Sequence, residues 1–275
     1  MPDTPLILLV DNGSLQPAAT LRLRAVASAL EAREGRPVEP VSLLHSSAID
    51  PAALGGKPAE ILEPAIRRRY LDGQRAFVIV PLFFGPSAAL TDYIPERIRA
   101  LTATLSGLSI RVAAPLVDPR ADDRRLAGIL ADHVHATLAK YHLVRPWVIL
   151  VDHGSPQPAV GAVRDHLAAQ LRALLHDSVS RVIPASMERR EGAAYDFNEP
   201  LLARALQQVS GPGVAALLFF SPGRHAGPRG DIADICAEAE RSREDLRVHP
   251  TPLVGEHPGL IEILAERLRA ALPAS

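Results

Sequence analysis

A single cysteine, Cys236, in 275 residues excludes an intrachain disulfide and a cysteine zinc cage. Aromatic residues make up only 4%, too few for a stacking platform along single-stranded nucleic acid. Neither sign of charge is in excess. The formal net charge of −1 provides no global field to recruit nucleic acid or an anionic membrane. No apolar stretch is long enough to span a bilayer. Met1–Val10 has no basic region and only a short apolar run, Leu6–Val10, so it does not read as a signal peptide. The chain also lacks a Gly-x-Gly-x-x-Gly turn, a phosphate loop and a Gly-x-Ser-x-Gly nucleophile elbow. These absences leave a cytoplasmic globular protein as the expectation. Its 47% hydrophobic and 22% charged residues are those of a chain with an ordinary core, and its length allows two domains or one large one.

What the chain does contain is a repeat. "ILLVDNGSLQPAA" at 7–19 returns as "VILVDHGSPQPAV" at 148–160. "AFVIVPLFFGPSAALTDYI" at 76–94 answers "VAALLFFSPGRHAGPRGDI" at 214–232. "IRVAAPLVDPRADDRRLAGILADHV" at 110–134 answers "LRVHPTPLVGEHPGLIEILAERL" at 246–268. The offsets nearly agree: 141 residues from Asp11 to Asp152, 136 from Pro86 to Pro222 and 137 from Leu116 to Leu253. Two copies make a pair of domains rather than a solenoid, which needs three or more. The repeats are placed at 1–143 and 144–275, joined near the short linker "YHLVRP".

Each half alternates strand and helix signals. Apolar runs predict strands at Leu6–Val10, Val38–Leu44, Ala76–Leu82 and Ile110–Ala113, and at Trp147–Val151, Arg181–Met187, Val214–Phe220 and Arg247–Thr251. Helical spacing predicts Ala18–Ala32, Ala59–Leu71, Tyr93–Leu105 and Asp122–Tyr141, then Ala159–His176, Glu199–Val209, Asp231–Glu240 and Gly259–Leu272. Pro200 is acceptable in a first helical turn. Apolar strands alternating with helices predict an α/β fold of two similar halves, each a small parallel sheet covered on both faces. Right-handed crossovers bring the βα loops to one edge, where such sheets bind ligands.

The repeat differs where chemistry would sit. His153 follows the first strand of the second half, Glu188 the second strand and His225 the third. With a local strand order 2-1-3 these strands are neighbours, about 4.8 Å apart, and the three loops converge. Two imidazoles and a carboxylate suit a borderline divalent ion such as Fe²⁺, Co²⁺, Ni²⁺ or Zn²⁺. Opposite them the first half has Asn12, Ala89, and Leu44 or His45, so it lacks both histidines. Singly, each residue also reads as an ordinary turn residue or a solvated carboxylate. Their coincidence on one edge is what favours a site. Arg189, Arg190, Arg224 and Arg229 fall near the same edge and could clamp carboxylates. Ser155 beside His153 suggests either a capping turn residue or a hydrolytic nucleophile without an evident third partner.

The second half is similar in these motifs to the sirohydrochlorin chelatases, the CbiX-like class II chelatases. "VDHGSPQP" and "LFFSPGRHAGPRGDI" carry the resemblance, with a "PL...HP.L..IL..R" tail, and the duplicated form extends it over nearly the whole chain. The resemblance implies two α/β halves facing across a cleft and insertion of Co²⁺ or Fe²⁺, or Ni²⁺, into a modified tetrapyrrole without ATP. It implies metal binding and catalysis by His153 and His225, with Glu188 in the place of the acidic helper. Substrate contacts would fall to Arg189, Arg190, Arg224 and Ser155. No organic cofactor, nucleic acid or membrane partner is expected, and the duplication suits a monomer. A carrier of the metal or tetrapyrrole would use the same histidines without turnover, and a Ser155 hydrolase is the third reading.

Overall fold

The computed structural model describes residues 4–273. Among the described residues, eight strands and eight main helices alternate in chain order. In the first half these are β1 (Leu6–Asp11), α1 (Pro17–Glu34), β2 (Val38–Ser42), α2 (Leu62–Leu71), β3 (Ala76–Pro81), α3 (Ile94–Thr104), β4 (Ser109–Val112) and α4 (Arg125–Tyr141). The second half repeats the order with β5 (Trp147–Asp152), α5 (Pro158–Leu175), β6 (Arg181–Ser186), α6 (Leu202–Gln207), β7 (Pro212–Leu217), α7 (Asp231–Ser242), β8 (Arg247–Pro250) and α8 (Gly259–Ala271). They build two four-stranded sheets, β2-β1-β3-β4 and β6-β5-β7-β8, in which every pairing is parallel. The expected 2-1-3 order therefore holds in both. Each sheet reverses direction of growth between its first and third strands, the place where open parallel sheets expose a crevice at their carboxyl ends.

Both faces of the central strands β1, β3, β5 and β7 are covered, and this is why they are apolar rather than alternating, while the edge strands β4 and β8 are partly exposed. In the first sheet Leu8 and Val10 face Leu62, Ile66, Ile94 and Leu101 of α2 and α3. Their neighbours Ile7 and Leu9 are equally buried, and α1 packs on β1 and β2. In the second sheet Ile149 and Val151 join Leu202, Leu206 and Ile232 of α6 and α7. There α5 packs on β5 and β6, and α4 packs on α5 and β7.

The compact units are cut differently from the sequence repeats. One comprises Met1–Leu116 with Ile261–Ser275, the other Val117–Leu260. Helix α4, which ends the first repeat, thus belongs to the second unit, and most of α8 belongs to the first. Charged side chains tie α8 there. Arg33 makes a two-pronged ion pair with Glu262 at 2.8 and 2.9 Å, and Arg267 donates to the Pro115 and Leu116 carbonyls.

The sequence pattern starts three helices three residues early; the one expected from Asp122 begins at Arg125, and the other two share one reason. The helices expected from Ala59 and Glu199 begin at Leu62 and Leu202. In both repeats the residue just before the helix, Ile61 or Leu201, is extended and bridges to the last residue of the neighbouring strand, Ser42 or Ser186. The Ser42 amide donates to Glu60 and the Ser186 amide to Pro200. A short extra pairing holds those residues out of the helix.

The end of β1 carries a strained electrostatic position. Burial pushes the Asp11 carboxyl up from 3.8 to about 6, against the opposing effects of Ser42 and the Gly13 amide. Its Oδ1 is buried with no hydrogen-bond partner. The folded protein holds a proton here that the unfolded chain releases near pH 4, so stability falls as pH rises from about 4 to about 6. The stability of the wild type relative to Asp11→Asn, from urea titrations, should drop by about 3 kcal/mol across that window. A difference independent of pH would mean that Asp11 ionises alike in both states.

Candidate functional site

The βα loops after β5 and β6 are joined by hydrogen bonds that continue the sheet past its named strands. The Met187 amide donates to the Asp152 carbonyl at 2.8 Å and the Glu188 amide to the His153 carbonyl at 3.2 Å. Gly154 follows with φ +91°, and a Cβ there would lie 1.9 Å from the Glu188 carbonyl oxygen. Only glycine permits both the left-handed turn and this close approach. The first repeat builds the same turn. Leu43 and Leu44 donate to Asp11 and Asn12, and a Cβ on Gly13 would meet the Leu44 oxygen at 1.8 Å. This settles the open register: the counterpart of Glu188 is Leu44, not His45.

His153, Glu188 and His225 come together. The two imidazoles pack edge to face with centroids 4.5 Å apart. His153 Nε2 lies 3.5 Å from Glu188 Oε1. His153 Nδ1 lies 3.1 Å from the Gly154 carbonyl oxygen, and His225 Nδ1 lies 2.6 Å from Asp231 Oδ2. A carbonyl and a carboxylate can only accept, so both Nδ1 atoms carry the proton and donate it. In a neutral ring the lone pair then sits on Nε2. His153 Nε2 consequently faces a carboxylate oxygen with no proton of its own to offer. Two electron-rich atoms 3.5 Å apart are stabilised by a cation between them, whether a proton or a metal ion.

The three side chains are not a closed cage. Among the described residues no group of three or more His, Cys, Asp or Glu side chains is arranged to hold a metal ion. Two imidazoles alone would leave coordination positions open, as catalytic rather than structural metal sites do.

Beneath the His153 turn lies a buried polar network that sequence reasoning missed. Arg164 of α5 is 1% exposed. It donates to Ser186 Oγ at 2.6 Å, and the Ser186 hydroxyl donates to Asp152 Oδ1 at 2.6 Å, which also accepts from the Gly154 amide at 3.1 Å. Further donations go to the Phe197 and Asn198 carbonyls. The Asn198 side chain grips Ser155 from both sides, accepting from its amide and donating to its carbonyl, each at 3.0 Å. Burial raises the Asp152 carboxyl, while Ser186, the Arg164 charge and the Gly154 amide pull it back. The sequence signal was an arginine inside the apolar stripe of Val163, Leu167 and Leu171. By the offset of 141 the first repeat has Leu23 there, and Asp11 keeps its unpartnered oxygen.

The remaining candidates are placed unequally. Arg189 is held by Asp196 at 2.7 Å and Glu199 at 2.9 Å. The guanidinium of Arg190 lies 6.0 Å from the Tyr195 ring centre. Arg224 is well exposed, with Nε 3.7 Å from Asp231 Oδ2. Ser155 Oγ accepts from the Gln157 amide at 3.1 Å, which makes it a turn residue at the entry to α5. Asp231, the first residue of α7, was the other omission; its signal was an acidic residue opening a helix six positions after His225.

Arg164→Leu, which copies the first repeat, should destabilise the protein by about 3 kcal/mol in denaturant titrations, because it strips buried oxygens of their donor. An unchanged midpoint would mean that water substitutes for the guanidinium.

Comparison with known proteins bears on the fold that positions these residues. The CbiX family model matches residues 147–271. SirB from Bacillus subtilis, solved with Fe³⁺, superposes with a TM-score of 0.70 at 18% identity, over 98% of this chain and 95% of that one. The sirohydrochlorin chelatase SirB from Bacillus subtilis subspecies spizizenii, in complex with cobalt, gives 0.68 at 18% identity, with the same coverage. CbiX, titled the terminal enzyme for biosynthesis of siroheme in denitrifying bacteria, gives 0.64 at 17% identity, over 98% of this chain and 100% of that one. No curated protein sequence matches the chain significantly. Residues 147–271 thus match the CbiX family model, and the chain has the fold of the solved SirB and CbiX structures.

Proposed function

We propose that this protein inserts a divalent metal, Co²⁺ or Fe²⁺, into sirohydrochlorin or a related modified tetrapyrrole, in cobalamin or siroheme biosynthesis and without ATP. The observation that carries the reading is the gap between His153 Nε2 and Glu188 Oε1, two facing acceptors at 3.5 Å with a second imidazole packed beside them. The CbiX match over residues 147–271 and the SirB-like fold support it. So do the titles of the related structures, which name Fe³⁺, cobalt and siroheme biosynthesis.

Insertion requires an ion held loosely enough to leave and a group that accepts the two pyrrole N–H protons. His153 and His225 supply two neutral nitrogen ligands through Nε2. Each Nδ1–H is already occupied, so the rings do not need to change tautomer when the ion arrives. Glu188, exposed beside His153, accepts the first proton released from the macrocycle, and a histidine freed by departure of the ion relays the second to solvent. Arg190 and Arg224 pair with peripheral carboxylates of the substrate. Exposed pairs contribute about 0–1 kcal/mol each, so they orient the substrate rather than hold it tightly. Arg189 would join them only by leaving Asp196 and Glu199. Ser155 would meet the substrate through the turn whose backbone Asn198 grips.

Anaerobic absorbance spectroscopy of sirohydrochlorin with Co²⁺ or Fe²⁺ tests the reading. Catalytic amounts of protein should accelerate the spectral change over many turnovers. His153→Ala and His225→Ala should each return the rate to background with unchanged circular dichroism, while Asn12→Ala should stay within about twofold of wild type. Stoichiometric binding that stops after one equivalent would replace the enzyme by a carrier.

A further inference from the structure

We infer that Asp231 is a positioning residue that fixes the tautomer of His225 and so aims its Nε2 lone pair at the incoming metal; the metal in this statement rests on the proposed function. The segment between the two residues is a closed turn. The Asp231 amide donates to the Arg224 carbonyl at 3.2 Å, and the Ile232 amide donates to the His225 carbonyl at 3.1 Å. The backbone thus folds the start of α7 back over the residue that carries the imidazole, and the carboxylate reaches Nδ1 at 2.6 Å.

The two histidines are held by different acceptors. His153 Nδ1 donates to the neutral carbonyl of the next residue, a bond made within its own turn. His225 Nδ1 donates to an anion supplied by a helix six residues on. A charge-assisted bond of this length is about twice as strong as a neutral one. It also pushes electron density toward Nε2, the effect by which a carboxylate raises the basicity of a ligating histidine. An imidazole without such an acceptor shares its proton between both nitrogens, and only one of those forms leaves the lone pair on Nε2. Asp231 also sits at the amino end of α7, where the helix dipole favours a negative charge. Arg224, 3.7 Å away, adds a positive charge on its open side.

The test reads the proton directly. Protein labelled with ¹⁵N-histidine, without metal and at about pH 8 where ordinary imidazoles are neutral, is examined by long-range ¹⁵N–¹H correlation, with His225→Gln identifying the signals. His225 should appear as the Nδ1–H form in the wild type and as a mixture in Asp231→Ala. Asp231→Glu should restore the Nδ1–H form. Titration with Co²⁺ alone should show about 10–100-fold weaker binding in Asp231→Ala, recovered in part by Asp231→Glu. A wild-type His225 in the Nε2–H form would overturn the assignment, as would unchanged Co²⁺ affinity in Asp231→Ala. Both readouts are independent of turnover. If the tautomer and affinity results hold but the wild type inserts no metal into sirohydrochlorin, the chelatase reading fails while the role of Asp231 stands.

Discussion

The site depends on hydrogen bonding that runs past the ends of β5 and β6. Two bonds, Met187 to Asp152 and Glu188 to His153, bring the loops together before any side chain is considered. The approach is so close that the glycine after His153 cannot carry a side chain. Parallel strands are evenly spaced, so once this contact forms, the place of Glu188 beside His153 follows from geometry. The third loop joins from β7, on the other side of β5, because the strand order reverses there. A crevice at a switch point needs no further device to collect residues from three separated stretches of chain.

The same framework occurs twice, and comparison of the copies separates scaffold from chemistry. Both repeats keep the strand-end aspartate, the left-handed glycine and the serine on the neighbouring strand. What differs is what stands on the frame. The second repeat has two histidines and a glutamate where the first has Asn12, Ala89 and Leu44. It also has Arg164 under the turn where the first has Leu23. In the second copy the guanidinium supplies donors to the buried oxygens, and Asp152 is stabilised by charge as well as by Ser186. In the first copy Asp11 lacks that donor, and burial drives its carboxyl up to about 6. A site that must hold its imidazoles in fixed directions benefits from a rigid floor, and the copy with the imidazoles is the one that has it.

Much of this was legible in the sequence. Apolar strands alternating with amphipathic helices fixed the sheet as parallel and covered, and the repeat offset paired the elements of the two halves. The convergence of His153, Glu188 and His225 followed from strand order alone. The errors share one cause, which is contact between residues far apart in sequence. Ile61 and Leu201 lie in helical patterns but are drawn into sheet bridges. Arg189 reads as a free cation beside the site, yet Asp196 and Glu199 hold it. Arg164 stands within the apolar stripe of α5 with nothing local to explain it, and is buried where Ser186 and the Phe197 and Asn198 carbonyls accept its hydrogen bonds.

The sequence by itself determined the fold class, the duplication and the copy that carries the histidines, because hydrophobic period and residue identity are local properties of the chain. Only the tertiary structure decided that Leu44 matches Glu188, that α4 and α8 pack in units other than those of their repeats, and that Asp231 rather than Glu188 holds the far nitrogen of His225. Those depend on where backbone donors find acceptors and where buried surface finds cover. Both are settled between segments distant in the chain, and no local pattern records them.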